Sequence, residues 1–371
     1  MLYVKPSYYH KFKCTADKCE ATCCAGWQIV IDEDSLERYE KEKSDYGDLL
    51  RERIDWAEGV FKQDSCRRCA FLNPDNLCDM YRHLGEDSLC MTCANYPRHI
   101  EEFENLREIT LAISCPEVAH IILNQKEPVT FVEEELEGDE EEFEDFDLFF
   151  FSYLEDGRNI LLGILQNRGW NIGIRFGLAQ RFAEEMQEII ENADLFELAD
   201  LFEKYEDASF LSCSVQEIDK ERSAFYQNAS DAFCYSKARM GRLYELEHLS
   251  DDWEEYLEQC WQTLYQDGAE QYQDMHLKFT ENCSANLPII LEQLLVYFIF
   301  TYFCGAVYDY NVLGKVDMSL TSVYNIYEMF IVKWARQGEK LSMQDMERVV
   351  YRYSRELEHS DVNLDRLENN I

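Results

Sequence analysis

Basic residues are scarce in this chain of 371 residues, and it carries no nucleotide-binding motif. Its 35 lysines and arginines stand against 74 aspartates and glutamates, which gives a formal net charge of −39. Since nucleic acid and anionic membranes are polyanions, this charge argues against both as partners and would attract a basic or lysine-bearing protein. Most of the carboxylates are expected only to solvate helix faces. Neither G-x-G-x-x-G after a strand pattern nor G-x4-G-K-[ST] occurs, so a Rossmann or P-loop nucleotide site is not supported.

A secretory signal and a clear membrane span are also missing. The opening residues, MLYVKPSYYH, lack a charged segment followed by an apolar one. The most apolar stretch, 287–307, contains Glu292 and Gln293, which favours a buried helix over a membrane span. We therefore expect a cytoplasmic protein, whose cysteines are metal ligands or free thiols more often than disulfides.

The sequence pattern predicts a mainly α protein in which a cysteine-rich metal-binding N-terminal region packs on a multi-helix C-terminal domain. The first region covers residues 1–130, where short segments alternate with turns. An acidic linker or loop is expected at 131–147, and helical spacing of apolar residues marks 148–371 as the helical domain. The clearest helical stretches are 212–248, 251–266, 286–308, 317–337 and 342–358.

Local signals make this prediction more specific. The candidate helix N-caps are Asp251 or Asp252, Ser319 or Thr321, and Ser342. The best short strand pattern is WQIVI at 27–31. Gly169, Gly173 and Gly177 recur every four residues, which predicts a helix face that packs closely against a neighbour.

Cysteines are the residue type that points most directly at chemistry. Ten of the fifteen lie in the first 115 residues: Cys14, Cys19, Cys23, Cys24, Cys66, Cys69, Cys78, Cys90, Cys93 and Cys115. Cys66 with Cys69 and Cys90 with Cys93 form two C-x-x-C pairs, a four-thiolate arrangement that can hold zinc. Ten cysteines exceed the need of one tetrahedral site, which favours a polynuclear iron–sulfur cluster or two sites with some bystanders.

Two further expectations concern individual cysteines. Neighbouring side chains diverge, so Cys23 and Cys24 are not expected to reach one metal together. The five later cysteines lie in helical stretches and are expected to be small buried hydrophobes: Cys213, Cys234, Cys260, Cys283 and Cys304.

Three segments resemble flagellin lysine-N-methylases. They are YVKPSYYHKFKCTADKCEATCCAGWQIVID at the start, CRRCAFLNPDNLCDMYRHLGEDSLCMTCANYPRHI and AISCPEVAHIIL. The first half also resembles the CxxCxxCC group of zinc- or iron-chelating domains, and LPIILEQLLVYFIFTYFCGAVYD is similar to an aromatic-rich C-terminal helix of the methylase family.

The resemblance implies methyl transfer to lysine side chains of flagellin, with S-adenosylmethionine as the donor. It also implies a [4Fe–4S] cluster, or alternatively Zn²⁺, held among the ten N-terminal cysteines, with Cys66, Cys69, Cys90 and Cys93 as the first choice. The chain has C-x4-C-x3-C-C and not the C-x3-C-x2-C triplet of radical enzymes, so that mechanism is not implied. The alternative is a non-catalytic zinc- or iron-binding module, or a flagellin-interacting protein.

Methyl transfer to an amine requires a deprotonated lysine held in line with the donor. A carboxylate or a tyrosine can take the proton, and aromatic faces suit a sulfonium cation. The candidates are Glu292, Tyr297, Tyr302, Tyr308 and Asp309 on the apolar helix, and Tyr96 near the cysteines. Each of them has a core role as its alternative, because aromatic residues at helical spacing usually form a core.

Overall fold

A computed structural model of the chain describes residues 1–138, 141–144, 146–282 and 286–369. Most of the described residues are helical, which confirms the prediction of a mainly α protein. The helices of the N-terminal region are α1 (Glu33–Glu40), α2 (Gly47–Glu52), α3 (Asp79–Leu84), α4 (Met91–Asn95) and α5 (Pro116–Leu123). Those that follow are α6 (Leu148–Leu165), α7 (Ile172–Glu191), α8 (Glu197–Glu206), α9 (Ala208–Gln227), α10 (Ala229–Arg242), α11 (Trp253–Tyr265), α12 (Gly268–Asn282), α13 (Leu287–Tyr302), α14 (Val312–Arg336), α15 (Met343–Glu358) and α16 (Asp361–Glu368).

A small mixed sheet lies in the N-terminal region. The strands are β1 (Leu2–Pro6), β2 (Ile54–Asp55), β3 (Val60–Phe61), β4 (Arg98–Phe103), β5 (Leu106–Leu111) and β6 (Phe131–Glu135). Four of them form one sheet in the order β4-β5-β1-β6, with β1 parallel to β5 and antiparallel to β6. Strand β6 comes from the segment predicted as an acidic linker; Asp139, Glu140 and Asp145 of that segment lie outside the described residues.

The central strand β5 ties this sheet to the helical domain. All six of its residues are buried, including Glu108. The Glu108 carboxylate pairs with the Arg158 guanidinium on α6, and one of the two contacts is 2.6 Å long. Because a charge at this depth is stable only when it is paired and hydrogen-bonded, the pair fixes α6 against the sheet.

Helix α13 is the centre of the helical core. Thirteen of its sixteen residues are buried. Within the described part of the chain, the stretch Leu287–Val307 is the one long and apolar enough to cross a membrane, and 83% of its most apolar 18-residue window is buried inside the protein. The expectation of a buried core helix is therefore confirmed.

Some local predictions hold and others fail. Ser342 caps α15 in a reciprocal capping box with Asp345, as predicted. Ser319 and Thr321 are wrong as N-caps, because α14 begins earlier, at Val312, where the Asn311 side chain accepts from the Gly314 N–H. The predicted stretch 212–248 is divided into α9 and α10 at Asn228, which caps α10.

The close helix packing predicted from the glycine spacing is found at two of the three glycines. A Cβ on Gly177 would lie 2.6 Å from Ile218 Cγ2 of α9, and a Cβ on Gly173 would collide with the Arg222 side chain of the same helix. Glycine is therefore needed at position 177, where α7 approaches α9 closely, whereas at position 173 the flexible end of Arg222 could move aside. Gly169 lies in the turn before α7 and takes no part in this packing.

Two hydrophobic cores are present. The large core joins the sheet to the helical domain. The small core lies entirely in the N-terminal region and contains, among others, Tyr39, Leu50, Phe61 and Phe71. Five cysteines belong to the small core or pack against it: Cys24, Cys69, Cys78, Cys90 and Cys93.

Candidate functional site: thiols at the seam with the helical domain

The five cysteines of the small core, Cys24, Cys69, Cys78, Cys90 and Cys93, form what we call the inner thiol group. They come from three separate stretches of chain. The Cys69 N–H donates to the Cys24 carbonyl at 2.8 Å, which joins the first stretch to the second. Neighbouring sulfurs affect one another: the pKa of Cys69 is raised to about 12, chiefly by burial and further by Cys24, Cys78 and Cys90.

Helix starts favour the thiolate form at two of these cysteines. Cys78 is the N-cap of α3 and Cys90 is the N-cap of α4. Backbone N–H groups of the first turn hydrogen-bond both sulfurs and lower their pKa values. For Cys78, burial outweighs this and the pKa is raised overall, whereas the hydrogen bond from the Cys93 thiol gives Cys90 a lowered pKa.

Cys24 is the second cysteine with a lowered pKa. The hydrogen bond from the Cys23 thiol is the largest cause; with the Thr22 hydroxyl and the nearby Arg68 charge it brings the pKa of Cys24 to about 7, despite burial. The inner thiol group thus contains two cysteines, Cys24 and Cys90, whose lowered pKa values favour the thiolate form. Thiolates are the form that binds soft metals.

The outer thiol group consists of Cys14, Cys19, Cys23 and Cys115. Cys115 is the N-cap of α5, with Pro116 at the first helical position, and it belongs to the large core. Burial, with smaller contributions from Cys19 and Cys14, raises its pKa to about 11, although backbone N–H groups of the first turn of α5 lower it. The pKa of Cys23 is raised by its hydrogen bond to Cys24, by burial, and by Cys14 and Cys115. The thiols of the adjacent Cys23 and Cys24 are hydrogen-bonded to each other and link the outer group to the inner one, so the expectation that these two side chains diverge is wrong.

Cys66 stands apart from both groups. It is exposed, and its backbone N–H donates to the Asp64 carboxylate. The inner thiol group thus includes three of the four cysteines that were the first choice from sequence. Among the described residues, no three or more His, Cys, Asp and Glu side chains converge on one point at metal-binding distance. The donor type nevertheless suits a soft metal or an iron–sulfur cluster, because closely spaced thiolates are what such groups need.

The later cysteines divide by burial. Cys260 and Cys304 are buried in the large core, as predicted, whereas Cys213 and Cys234 are exposed, so the prediction is wrong for them. They lie on the outer faces of α9 and α10, and the helical spacing of the sequence did not predict their exposure. Cys283 lies outside the described residues.

Helix α15 joins the cysteine-bearing segment to the helical domain. Arg348 pairs with Glu20 at 2.6 Å, and the Tyr351 hydroxyl donates to the same carboxylate at 3.2 Å. Arg355 donates to two backbone carbonyls, Ala21 at 2.5 Å and Ser114 at 3.0 Å. These contacts hold residues 20–24 and the start of α5 against one helix.

A polar and aromatic layer, which we call the seam, lies at this junction. Its first part comprises Trp27, Tyr96, Ser114 and His359. The Ser114 hydroxyl lies 2.9 Å from His359 Nε2 and 3.2 Å from the Tyr96 hydroxyl. The Trp27 ring centroid is 5.0 Å from that of His359 and 5.7 Å from that of Tyr96, and its indole N–H donates to the Cys23 carbonyl.

Electrostatics set the charge state of this part of the seam. Burial, together with the Arg355 charge, lowers the pKa of His359 to about 4, so its imidazole is neutral at pH 7. Burial and the nearby thiols of Cys115 and Cys23 raise the pKa of Tyr96. The layer therefore places a neutral imidazole and two hydroxyls beside the outer thiol group.

The second part of the seam is centred on Glu358. Tyr297 and Tyr302 donate to its carboxylate at 2.5 and 2.8 Å, and Ser354 donates as well. Burial raises the pKa of Glu358, and the three hydroxyl donors and His99 only partly oppose it. The structure thus brings together two of the tyrosines suggested by the sequence, around a carboxylate that the sequence did not suggest.

Glu292 and Asp309 have other partners. Glu292 is completely buried and accepts from Arg168 at 2.8 Å and from Arg175 at 2.5 Å. Asp309 lies at the surface and pairs with Lys315 at 2.9 Å. These ion pairs are sufficient to explain why a carboxylate stands at each position, and no catalytic role is needed to explain it. Tyr308, also suggested by the sequence, is exposed and donates to the Glu102 carbonyl.

Sequence reasoning missed Ser114, Glu358 and His359. Each acquires its environment through contacts between residues that are 56 to 245 positions apart. A buried network around Glu328 was missed for the same reason. Although burial raises the pKa of Glu328, His276 and Arg239 lower it to about 2, and Ser236 adds a hydrogen bond. No local pattern marks any of these positions.

Comparison with known proteins links the C-terminal part of the chain to a family. Residues 158–371 match the family described as FliB lysine N-methylase C-terminal domain. The lysine-N-methylases of Salmonella typhimurium and Salmonella choleraesuis are each 28% identical over 138 residues, which is 35% of this chain and 34% of theirs. The flagellar biosynthetic protein FliU of Salmonella muenchen is also 28% identical over 138 residues, and 81% of it is covered. The chain thus spans about a third of the length of the two methylases. No solved structure matches.

Proposed function

The chain belongs to the FliB lysine N-methylase C-terminal domain family, and we propose that it is a methyltransferase that modifies lysine side chains of flagellin. The family match over 158–371 is the observation that carries this proposal. S-adenosylmethionine is the proposed methyl donor, since its sulfonium would be suited by aromatic faces such as those of Trp27 and Tyr96. The net charge of −39 favours the approach of a lysine-bearing protein.

We further propose that the inner thiol group holds a [4Fe–4S] cluster, with Zn²⁺ as the alternative occupant. Five cysteines in one small core, two of them prepared as thiolates, support this assignment. When bound, such a cluster supplies electron transfer, and it also stabilises a region whose own core is small. The outer thiol group, which adjoins the seam, provides further ligands or free thiols.

The seam offers groups that could handle the lysine proton. A lysine ammonium must lose a proton before its nitrogen can attack a methyl group. His359 is neutral at pH 7 and shares a hydrogen bond with Ser114, so its imidazole is in the form that accepts a proton, but its pKa of about 4 makes it a weak base toward a lysine ammonium. Glu358, adjacent in the chain, offers a second proton acceptor: its carboxylate accepts from Tyr302 at 2.8 Å, and burial raises its pKa.

A second candidate function is a metal-binding module without catalysis. The burial of the inner thiol group within its own small core favours this alternative, since such a site could serve only to hold the fold. It predicts metal content without methyl transfer.

Anaerobic purification followed by a transfer assay separates the two functions. Protein loaded with iron and sulfide is expected to move a labelled methyl group from S-adenosylmethionine to flagellin, with release of S-adenosylhomocysteine. No incorporation into flagellin by loaded protein would contradict the methyltransferase proposal. A colourless preparation with stoichiometric zinc would contradict the cluster proposal alone.

Replacing His359 tests the role of the seam. His359→Gln retains a hydrogen-bonding group near Ser114 but cannot take a proton, so the transfer rate is expected to fall by about 10²-fold. Iron content and the midpoint of urea unfolding should stay as in the parent protein. His248→Gln is the matched control, because His248 hydrogen-bonds the Leu243 carbonyl and, among the described residues, no residue of the seam. Equal transfer rates in the two variants would remove His359 from the mechanism.

A further inference from the structure

A concave surface lies among α6, the turn before α7, α8 and α9, and all of its lining residues except Asp156 fall within the part of the chain that matches the family. It encloses about 580 Å³. A second cavity of about 380 Å³ continues from it, and the two share Asn167, Trp170 and Leu211 in their walls. Neither cavity is lined by a cysteine of the two thiol groups or by a residue of the seam. We refer to the two together as the α6–α9 cleft.

The charge of this cleft has one sign. Asp156 and Glu206 are its charged lining residues, and no lysine, arginine or histidine lines either cavity. Both carboxylates are exposed. In the described part of the chain neither of their side chains has an ion-pair or hydrogen-bond partner, although 23 such ion pairs are present elsewhere. Two unpaired carboxylates in a concave site would attract a cation.

The cleft also has an aromatic wall. Trp170, Phe202 and Tyr205 line it; Phe202 and Tyr205 are buried, and Trp170 is half-buried. The Tyr205 hydroxyl is engaged with Glu185 at 3.2 Å, and its ring packs against Phe182 and Phe210, so the half-buried Trp170 is the most accessible ring of this wall. Aromatic faces attract cations and pack well against alkyl chains. An aromatic wall beside unpaired carboxylates suits an alkylammonium group.

We propose that the α6–α9 cleft is a docking site for a lysine side chain of a protein partner. The aliphatic stem would lie on the aromatic wall, and the ammonium group would be directed to Asp156 and Glu206. The two cavities continue into each other, which leaves room for residues on either side of that lysine. The identification of the partner as the protein substrate rests on the proposed function. The inference that the cleft binds a lysine side chain rests on its lining residues alone.

Peptide binding tests the cleft without any methyl transfer. A fluorescent peptide that contains lysines is expected to bind the full-length protein at least about tenfold more tightly than the same peptide with norleucine in their place. Asp156→Asn with Glu206→Gln should abolish that preference. The matched control is Asp267→Asn with Glu281→Gln, which removes equal charge from exposed positions near the ends of α12. The control should keep the preference.

The outcomes separate this proposal from the proposed function. Equal affinity of the unaltered protein for the lysine and norleucine peptides would overturn the docking site, and so would unchanged binding in the Asp156→Asn, Glu206→Gln protein. If the peptide binds as expected but flagellin is never methylated, the docking site stands and the proposed function fails. If flagellin is methylated with the same KM in the cleft variant as in the parent, the function stands and the docking site fails.

Discussion

Cys69→Ser and Cys90→Ser are expected to lose nearly all bound iron and sulfide, whereas Cys66→Ser keeps them. Cys69 and Cys90 are buried in the small core, and Cys90 has a lowered pKa from its hydrogen bond with Cys93 and from the start of α4. Serine would replace a soft thiolate by a hydroxyl that does not hold iron in such a cluster. Cys66 is exposed and does not belong to the small core.

Metal analysis and the visible absorbance of anaerobically prepared proteins measure this difference. Because metal binding and folding are coupled, the Cys69 and Cys90 variants should also be less soluble. Cys260→Ser is the control for a buried thiol outside the N-terminal region, and its iron content should not change. Equal iron loss in the Cys66 and Cys69 variants would contradict the exclusion of Cys66 from the cluster ligands.

The sequence was sufficient to place the cysteines in one region but not to separate Cys66 from Cys69. Their C-x-x-C spacing suggested one turn with both sulfurs on one side. In the structure the intervening Arg67 has a φ of 55°, and the Cys66 N–H donates to Asp64. A bridge between Ala25 and Arg68 then directs Cys69 toward Cys24. That pairing depends on residues more than forty positions apart, which spacing within one motif cannot report.

Helices were easier to predict than their starts or the strands. Helix α13 was recognisable because its apolar residues are continuous, and burial of such a run is strongly favoured. The start of α14 depends on one Asn311 side chain, which the apolar pattern does not reveal. Residues 27–31 have the composition of a strand, yet only Val30 pairs, through a single bridge to Val60, and its side chain is exposed. A strand needs a neighbour, which composition does not supply.

The seam is a further example of what sequence patterns do not predict, in this case which residues of a site meet. Tyr297 and Tyr302 were suggested as catalytic from their position on an aromatic helix. What gives them chemical interest is Glu358, which lies at the end of α15 and reaches them only in the folded chain. Sequence patterns identify residue types that can do chemistry, and tertiary packing decides which of them meet.

For Glu292 this distinction predicts a large effect on stability. Arg175→Leu is expected to lower the free energy of unfolding by about 3–5 kcal/mol, because it leaves a completely buried carboxylate with only the partly exposed Arg168 as partner. The same change removes the hydrogen bond from Arg175 to the Leu165 carbonyl, which ties α7 to the end of α6. Urea unfolding followed by circular dichroism measures this loss.

The double variant Arg175→Met, Glu292→Leu decides between a structural and a catalytic role for Glu292. Replacing both charges by apolar groups avoids the unpaired buried charge, so the double variant should be more stable than Arg175→Leu. If Glu292 acts only through this ion pair, the double variant should also regain methyl transfer in proportion to its folded fraction. A folded double variant that transfers no methyl groups would return Glu292 to the list of catalytic candidates. The ion pairs with Arg168 and Arg175 favour the first outcome, because they hold the carboxylate inside the core.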